Sequence, residues 1–343
     1  MKKDKEKMES IFRKWTNLVN PKIKETLNVS VDKKTRGLVN YQVTTGGKRL
    51  RPVLAIASCL SCNGKIKDVL FPAAGLEILH NCTLIYDDII DNSDKRRGEP
   101  TVWSKYGRSI TECLGLDYAA AIFQAANKSK YPVRISEIFA RTLKEVVDGQ
   151  ILDILFEQAG RENERYVTKN RFRKITQNDY LKMVGKKTAS LIQACCEAGA
   201  VSASARKNMI EALKGYGFSL GIAFQIRDDI LDIFGKEKEF GKKIGKDIQE
   251  RKLGNVVIFY ALQELEPAKE KNKLLAILRK NRVEDGDIKK ALTLINKTKA
   301  KERSFGLEKE YVKKAKANLE KLPKNKWNEF LTKLADFVIE RNK

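Results

Sequence analysis

Leu76-Glu77-Ile78-Leu79-His80-Asn81-Cys82-Thr83-Leu84-Ile85-Tyr86-Asp87-Asp88-Ile89-Ile90-Asp91 is an apolar run that ends in two aspartates, two aliphatic residues and a third aspartate. The same pattern returns at Asp228-Asp229-Ile230-Leu231-Asp232, again on a stretch with helical character. Residues four apart share a helix face, so Asp87 and Asp91 point one way, as do Asp228 and Asp232. Like charges so close together cost stability unless something positive lies among them. Hard carboxylate oxygens suit a hard divalent cation. Mg²⁺ is the usual case, held by one or two carboxylates together with waters and substrate phosphates. One such cluster would pass as a solvated acidic helix face. Two copies in apolar context, both near basic motifs, predict a cage for metal ions and a polyphosphate, because charges seldom sit among apolar residues unless paired or metal-bound.

Working outward, helical stretches follow one another at 110–127, 133–158, 177–203, 206–234, 252–264, 269–280, 285–297, 305–321 and 325–341. Val, Ile and Thr do not alternate, and no Asn-Gly or Asp-Gly turn joins apolar strands. The fold class expected is all-α. An amphipathic patch (Ile11, Phe12, Trp15, Leu18, Val19) predicts a first helix ending at Pro21. Pro52 fits the first turn of a helix, and Pro72 is expected to open the next one. Asn92 to Pro100 should be a polar loop, and the basic, Asn-rich stretch 160–174 a mobile one. No linker or repeat divides the chain. Residues 1–35 therefore form a charged N-terminal segment with an amphipathic helix, and 36–343 a single domain.

The 343 residues carry 68 Lys and Arg against 44 Asp and Glu, a net charge of +24, which favours anionic partners. Hydrophobic residues make up 42%, enough for a substantial core. The charged start lacks the apolar region of a signal peptide, and no run approaches a membrane span. The six cysteines include one Cys59-x-x-Cys62 without a partner motif, and His80 is the only histidine. Buried reduced thiols and a cytoplasmic setting are expected rather than a zinc site.

Basic motifs recur beside the clusters. Gly46-Gly47-Lys48-Arg49-Leu50-Arg51 combines two glycines with three cations at a helix start, which favours phosphate. It lacks the spacing of a P-loop. Arg96-Arg97 follows the first cluster, and Gly241-Lys242-Lys243-Ile244-Gly245-Lys246-Asp247 and Lys252 follow the second. Lys186-Lys187-Thr188 lies in an apolar helix, where a cation is unexpected unless it meets an anion. His80 sits two turns before Asp87 on the same face. The whole suggests a site for two polyphosphates.

These motifs, in this order, resemble the trans-isoprenyl diphosphate synthase (polyprenyl synthetase) family from about residue 36 to the C-terminus. The resemblance also rests on Gly149-Gln150 with Asp153, Phe224-Gln225, Lys246-Asp247-Ile248 and Leu334-Ala335-Asp336-Phe337-Val338. It implies an all-α bundle of long helices around a deep central cavity, usually a homodimer. It further implies that Asp87, Asp88, Asp91, Asp228, Asp229 and Asp232 hold about three Mg²⁺ ions that bind an allylic diphosphate. Arg96, Lys187 and Lys243 (or its neighbour Lys242) would hold that diphosphate directly, with Lys252 nearby. Lys48, Arg51, His80 and Arg97 would bind isopentenyl diphosphate, while Thr188 and Gln225 place dipoles beside the reacting carbons.

The implied reaction is ionisation of the allylic C–O bond, attack by the double bond of isopentenyl diphosphate, and proton loss. The resemblance also implies that side chains below the first cluster set product length, so the small Cys82 and Thr83 there lead to the expectation of a product of geranylgeranyl length or longer. A farnesyl diphosphate synthase and a catalytically dependent subunit of a heteromeric prenyl synthase are the alternatives. Gly115-Leu116-Asp117 and Arg251-Lys252-Leu253-Gly254-Asn255 depart from the family pattern. The basic charge, unusual for the family, could collect anionic substrates or hold the enzyme at an anionic membrane. Nucleic acid would explain the charge but not the paired carboxylates, and is not expected as a partner.

Overall fold

Helix α4 (Ile66–Ile90) is apolar on nearly every side, and the computed structural model, which describes residues 2–235 and 244–340, shows why. It packs against α6 (Arg108–Asn127), α3 (Leu50–Ser61) and α1 (Lys2–Leu27). By length and composition α4 could cross a membrane, contrary to the expectation from sequence, but most of its apolar window is buried inside the protein. At Gly75 a ring of α7 (Pro132–Leu155) comes close: a Cβ there would lie 2.6 Å from the Phe139 ring.

The chain groups into two compact units. The first comprises Met1–Lys144, Leu191–Gly217 and Asn318–Leu331, and the second Glu145–Ser190, Phe218–Ala317 and Thr332–Lys343. In the first, α1 runs through Pro21 instead of ending there. Trp15, Val19, Ile23 and Leu27 recur every four residues, and all are at most 1% exposed. Such burial outweighs the lost hydrogen bond of one proline, since helices in proteins are held mainly by packing an apolar face. Trp15 meets Trp327 and Phe330 with ring centroids 5.1 and 5.7 Å away. Trp15→Ala would cost about 3–5 kcal/mol by the usual scale for large core side chains. Pro72 likewise lies inside its helix, which begins six residues earlier at Ile66.

The second unit is built on a core that includes Phe156, Tyr180, Ile222, Ile226, Ile230, Val257 and Leu274. Its helices include the end of α7, α8 (Arg165–Asn170), α9 (Gln177–Val184), most of α11 (Lys207–Phe234), α12 (Lys246–Gln249), α13 (Val256–Glu264), α14 (Ala268–Leu278), α15 (Asp285–Ile295) and most of α16 (Ala300–Leu319). Helix α8 occupies part of the stretch expected to be a loop. A capping box, Thr176 with Asp179, starts α9. Its continuation is not α-helical: Gly185–Ala189 form one π-helical turn before α10 (Ser190–Ser202). Among the described residues the sole strand pair is β1 (Lys95–Arg96) with β2 (Glu99–Pro100), inside the polar loop after Asp91.

Candidate active site

The first centre lies at the end of α4. Asp87 and Asp91 are half-exposed, whereas Asp88, one residue on and about 100° around the helix, is 1% exposed. Asp88 accepts from Arg96 Nε at 2.9 Å (Oδ1) and 3.0 Å (Oδ2), and Arg96 Nη2 lies 2.8 Å from Oδ1. The short β1–β2 hairpin delivers that guanidinium. Trp103 Nε1 donates to Ser93 O (2.9 Å) and anchors the loop. Asp88 and Arg96, expected from sequence at the metal and the diphosphate, are here paired with each other.

The glycine-rich turn is organised by two arginines. Arg49 has φ 51° and is buried, donating to Asn20 Oδ1 (3.2 Å), Val43 O (2.5 Å) and Glu77 Oε1 (2.9 Å). It is therefore a strut, while Lys48 of the same motif is exposed and Arg51 half-buried. Arg97, with φ 56°, donates to Gly46 O and lies over Gly47, where a Cβ would sit 2.9 Å from its Nη1. Gly47 has φ 132°, a conformation that calls for glycine. Burial first, then Arg51 and Arg97, holds His80 well below the ordinary histidine range, so its imidazole is neutral.

The second centre lies on α11. Asp228 is half-exposed, and Asp229 is 2% exposed. Asp229 accepts from Tyr180 Oη (2.8 Å), Val256 N (2.9 Å) and Gln225 Nε2 (2.9 Å). Asp232 accepts from the backbone N–H of Lys246 (3.0 Å) and Asp247 (3.1 Å), fixing the start of α12. The structure thus assigns Asp229 and Asp232 to protein partners. Burial, then the charge of Asp247, raises both carboxyl groups, Asp232 to about 8. Thr188 Oγ1 donates to Gln225 Oε1 (2.8 Å), so Thr188, Gln225, Asp229 and Tyr180 form one hydrogen-bonded chain. Lys187 Nζ lies 2.6 Å from Asp153 Oδ2.

Lys252 reaches the same Asp153 oxygen at 3.2 Å and Glu250 at 2.9 Å. It lies outside the helix expected at 252–264, which begins instead at Val256 behind an Asn255 cap. A β-bridge between Glu157 and Lys252 holds it, with Gln158 N to Arg251 O at 3.0 Å and Leu253 N to Phe156 O at 3.2 Å. Lys187 and Lys252 outweigh the penalty of burial and keep Asp153 well below the usual carboxylate range. Lys243 and Lys242 lie outside the described residues.

Tyr180 and Asn255 carry no role in the sequence reading, whereas Asp247 is visible in it through the motif Lys246-Asp247-Ile248. Asn255 donates to Asp229 O (3.2 Å) and Asp247 Oδ2 (2.8 Å), contacts made across 26 and 8 residues. Asp153 was visible through its motif, but its two lysine partners were not.

Among the described residues no three His, Cys, Asp or Glu side chains converge into a metal cage. The cage of carboxylates expected from the sequence is thus not drawn together among these residues. Burial first, then the charge of Asp247, disfavours the ionised form of the carboxyl groups at the second centre, and a cation bound there would oppose both.

Two carboxylate centres with nearby cations, on an all-α scaffold, define a prenyl-transferring synthase. The chain belongs to the polyprenyl synthetase family, whose sequence model matches residues 32–295. It is 37% identical over 279 residues to the short chain isoprenyl diphosphate synthase of Methanocaldococcus jannaschii, covering 80% of each chain. It is 34% identical to the geranylgeranyl diphosphate synthase of Saccharolobus solfataricus, covering 97% of each. Geranylgeranyl pyrophosphate synthetase from Pyrococcus horikoshii has a similar structure (TM-score 0.87, 28% identity), with 98% of this chain and 99% of that one covered.

Proposed function

We propose that this transferase condenses isopentenyl diphosphate with an allylic diphosphate to give geranylgeranyl diphosphate or a longer product. The observation that carries this reading is the sorting of the aspartates. In each pattern the residue after the first is buried on protein partners, while Asp87, Asp91 and Asp228 stay half-exposed. Those three are assigned as ligands of about three Mg²⁺ ions, with allylic diphosphate oxygens completing the shells. Bound metal would offset the negative charge that grows on the departing diphosphate.

The chain's own residues do the rest. Lys48, Arg51 and Arg97 bind the diphosphate of isopentenyl diphosphate, and neutral His80 adds a hydrogen bond. Lys187 serves the allylic diphosphate. Thr188 and Gln225, fixed by Asp229, direct dipoles toward the allylic carbons, where positive charge develops once the C–O bond breaks. The double bond of isopentenyl diphosphate then forms the new C–C bond, and a proton passes to the released diphosphate. A dry cavity for the hydrocarbon, part of the family expectation, keeps water from the cation.

A homodimer is proposed on the strength of α6. Cys113, Leu116, Ala120 and Phe123, spaced three, four and three residues apart, are all exposed, Leu116 by 68%. That is the seam of a helix that pairs with another. We place the enzyme in the cytoplasm, and the basic surface supports transient contact with an anionic membrane; vesicle binding that vanishes at high salt would check the latter. Release of the allylic substrate's diphosphate in the presence of isopentenyl diphosphate, lost with EDTA and restored by Mg²⁺, tests the reaction. Activity indifferent to chelation would overturn it.

A further inference from the structure

The π-helical turn Gly185–Ala189 presents Lys187 and Thr188 to two different neighbours, Asp153 on α7 and Gln225 on α11. Its widened register is marked by the N–H of Ser190 donating to Gly185 O, five residues back. Such turns are rare and need a cause. Helix α7 is packed directly on this one. Gly149 is buried against the backbone of the turn: a Cβ there would sit 2.7 Å from Lys187 Cα, 2.8 Å from Lys186 C, and closer still to Lys187 N. Backbone atoms cannot swing aside as a flexible side chain would.

On either side of that contact α7 also holds the two lysines. Asp148 pairs with the Lys186 ammonium, and Asp153, four residues after Gly149, takes that of Lys187. Ser190 Oγ donates to Lys186 O (2.5 Å) and secures the turn from the other side.

We propose that Gly149 is a positioning residue of the transferase site. Its missing side chain lets α7 seat the π turn, and the turn aims Lys187 at the allylic diphosphate and Thr188 at Gln225. In an ordinary α-helical register the residues after the lost position would turn by about 100° and lose those partners. The inference rests on the proposed roles of Lys187 and Thr188.

Gly149→Ala is expected to lower kcat about 100-fold, the usual scale for a displacement near 1 Å of catalytic groups. The KM for the allylic diphosphate should rise and that for isopentenyl diphosphate stay within about twofold, because Lys48, Arg51 and Arg97 are not touched. Deleting Lys186 is the second variant. It removes the extra residue of the turn, leaves α9 and α10 in place, and should fold normally while losing activity. Adding Gly149→Ala to that deletion should cost nothing further, since a regular helix no longer presses on residue 149.

Crystal structures of both variants should show Ser190 N–H bonded four residues back, a readout independent of activity. Gly149→Ala with unchanged kinetics and an intact π turn would overturn the inference, as would losses that multiply. A wild-type chain that condenses nothing, with a turn that nevertheless changes register in Gly149→Ala, would overturn the functional reading and the catalytic role given to Gly149.

Discussion

Asp88 and Arg96 form a closed pair, with the Arg96 Nε 2.9 and 3.0 Å from the two carboxylate oxygens, while Asp87 beside them is half-exposed. Adjacent members of one acidic pattern therefore do different work. Asp88→Asn should destabilise the fold by about 3 kcal/mol, the lower end for breaking a buried ion pair. Asp87→Asn and Asp228→Asn should cost less stability than Asp88→Asn but reduce kcat by about 10³-fold. Denaturant unfolding and steady-state kinetics on the three variants separate the classes.

Product length should respond to Thr83 more than to Cys82. Cys82 is buried, its Sγ donating to Gly115 O of α6 at 3.4 Å, and Tyr86 one turn on presses against the same glycine. Thr83 is half-buried and lies one turn below Asp87 on one helix face. Thr83→Phe should shorten the product by at least one isoprene unit. Cys82→Phe should mainly overpack the α4–α6 contact, at a cost of about 1–3 kcal/mol, with a smaller shift in length. Chromatography of dephosphorylated products reads both; unchanged length in each would place the floor elsewhere.

The buried thiols predict an alkaline limit to stability. Burial raises Cys59 and Cys82 to about 12 and Cys62 to about 11, against about 8.5 for a free thiol. Because the folded state favours the protonated form, this contribution is complete below about pH 8.5 and is lost as pH rises through 11 to 12. The melting temperature should accordingly fall between pH 9 and 11 more steeply than in a variant with Cys59 and Cys82 replaced by alanine.

The exposed seam of α6 gives a test of assembly. Leu116→Glu should convert a dimer to a monomer in sedimentation. Among the described residues Cys113 is the exposed cysteine, so its alkylation should be slow in the dimer and fast in that variant. Equal rates would mean that no second copy covers α6.

Much of this was legible in the sequence. The helices, the two acidic patterns and the cations near them follow from periodicity and residue type. Less legible was which aspartate of each pattern turns inward. Neighbours on a helix differ by about 100°, and only the partners, Arg96 for Asp88 and Tyr180 for Asp229, settle the matter. The π turn was hidden because one extra residue leaves the apolar pattern on both sides intact. Pro21 and Pro72 misled as boundaries because burial of α1 and α4 exceeds what a single proline removes. Lys252 is set by a bridge to Glu157, 95 residues earlier, which no local pattern encodes.

The most direct test is to incubate the purified protein with Mg²⁺, isopentenyl diphosphate and, separately, dimethylallyl, geranyl, farnesyl and geranylgeranyl diphosphates, and to measure product lengths. The account predicts elongation ending at one defined length of geranylgeranyl or beyond, whichever shorter primer starts it. No condensation from any primer would contradict it and mark the chain as a subunit that needs a partner.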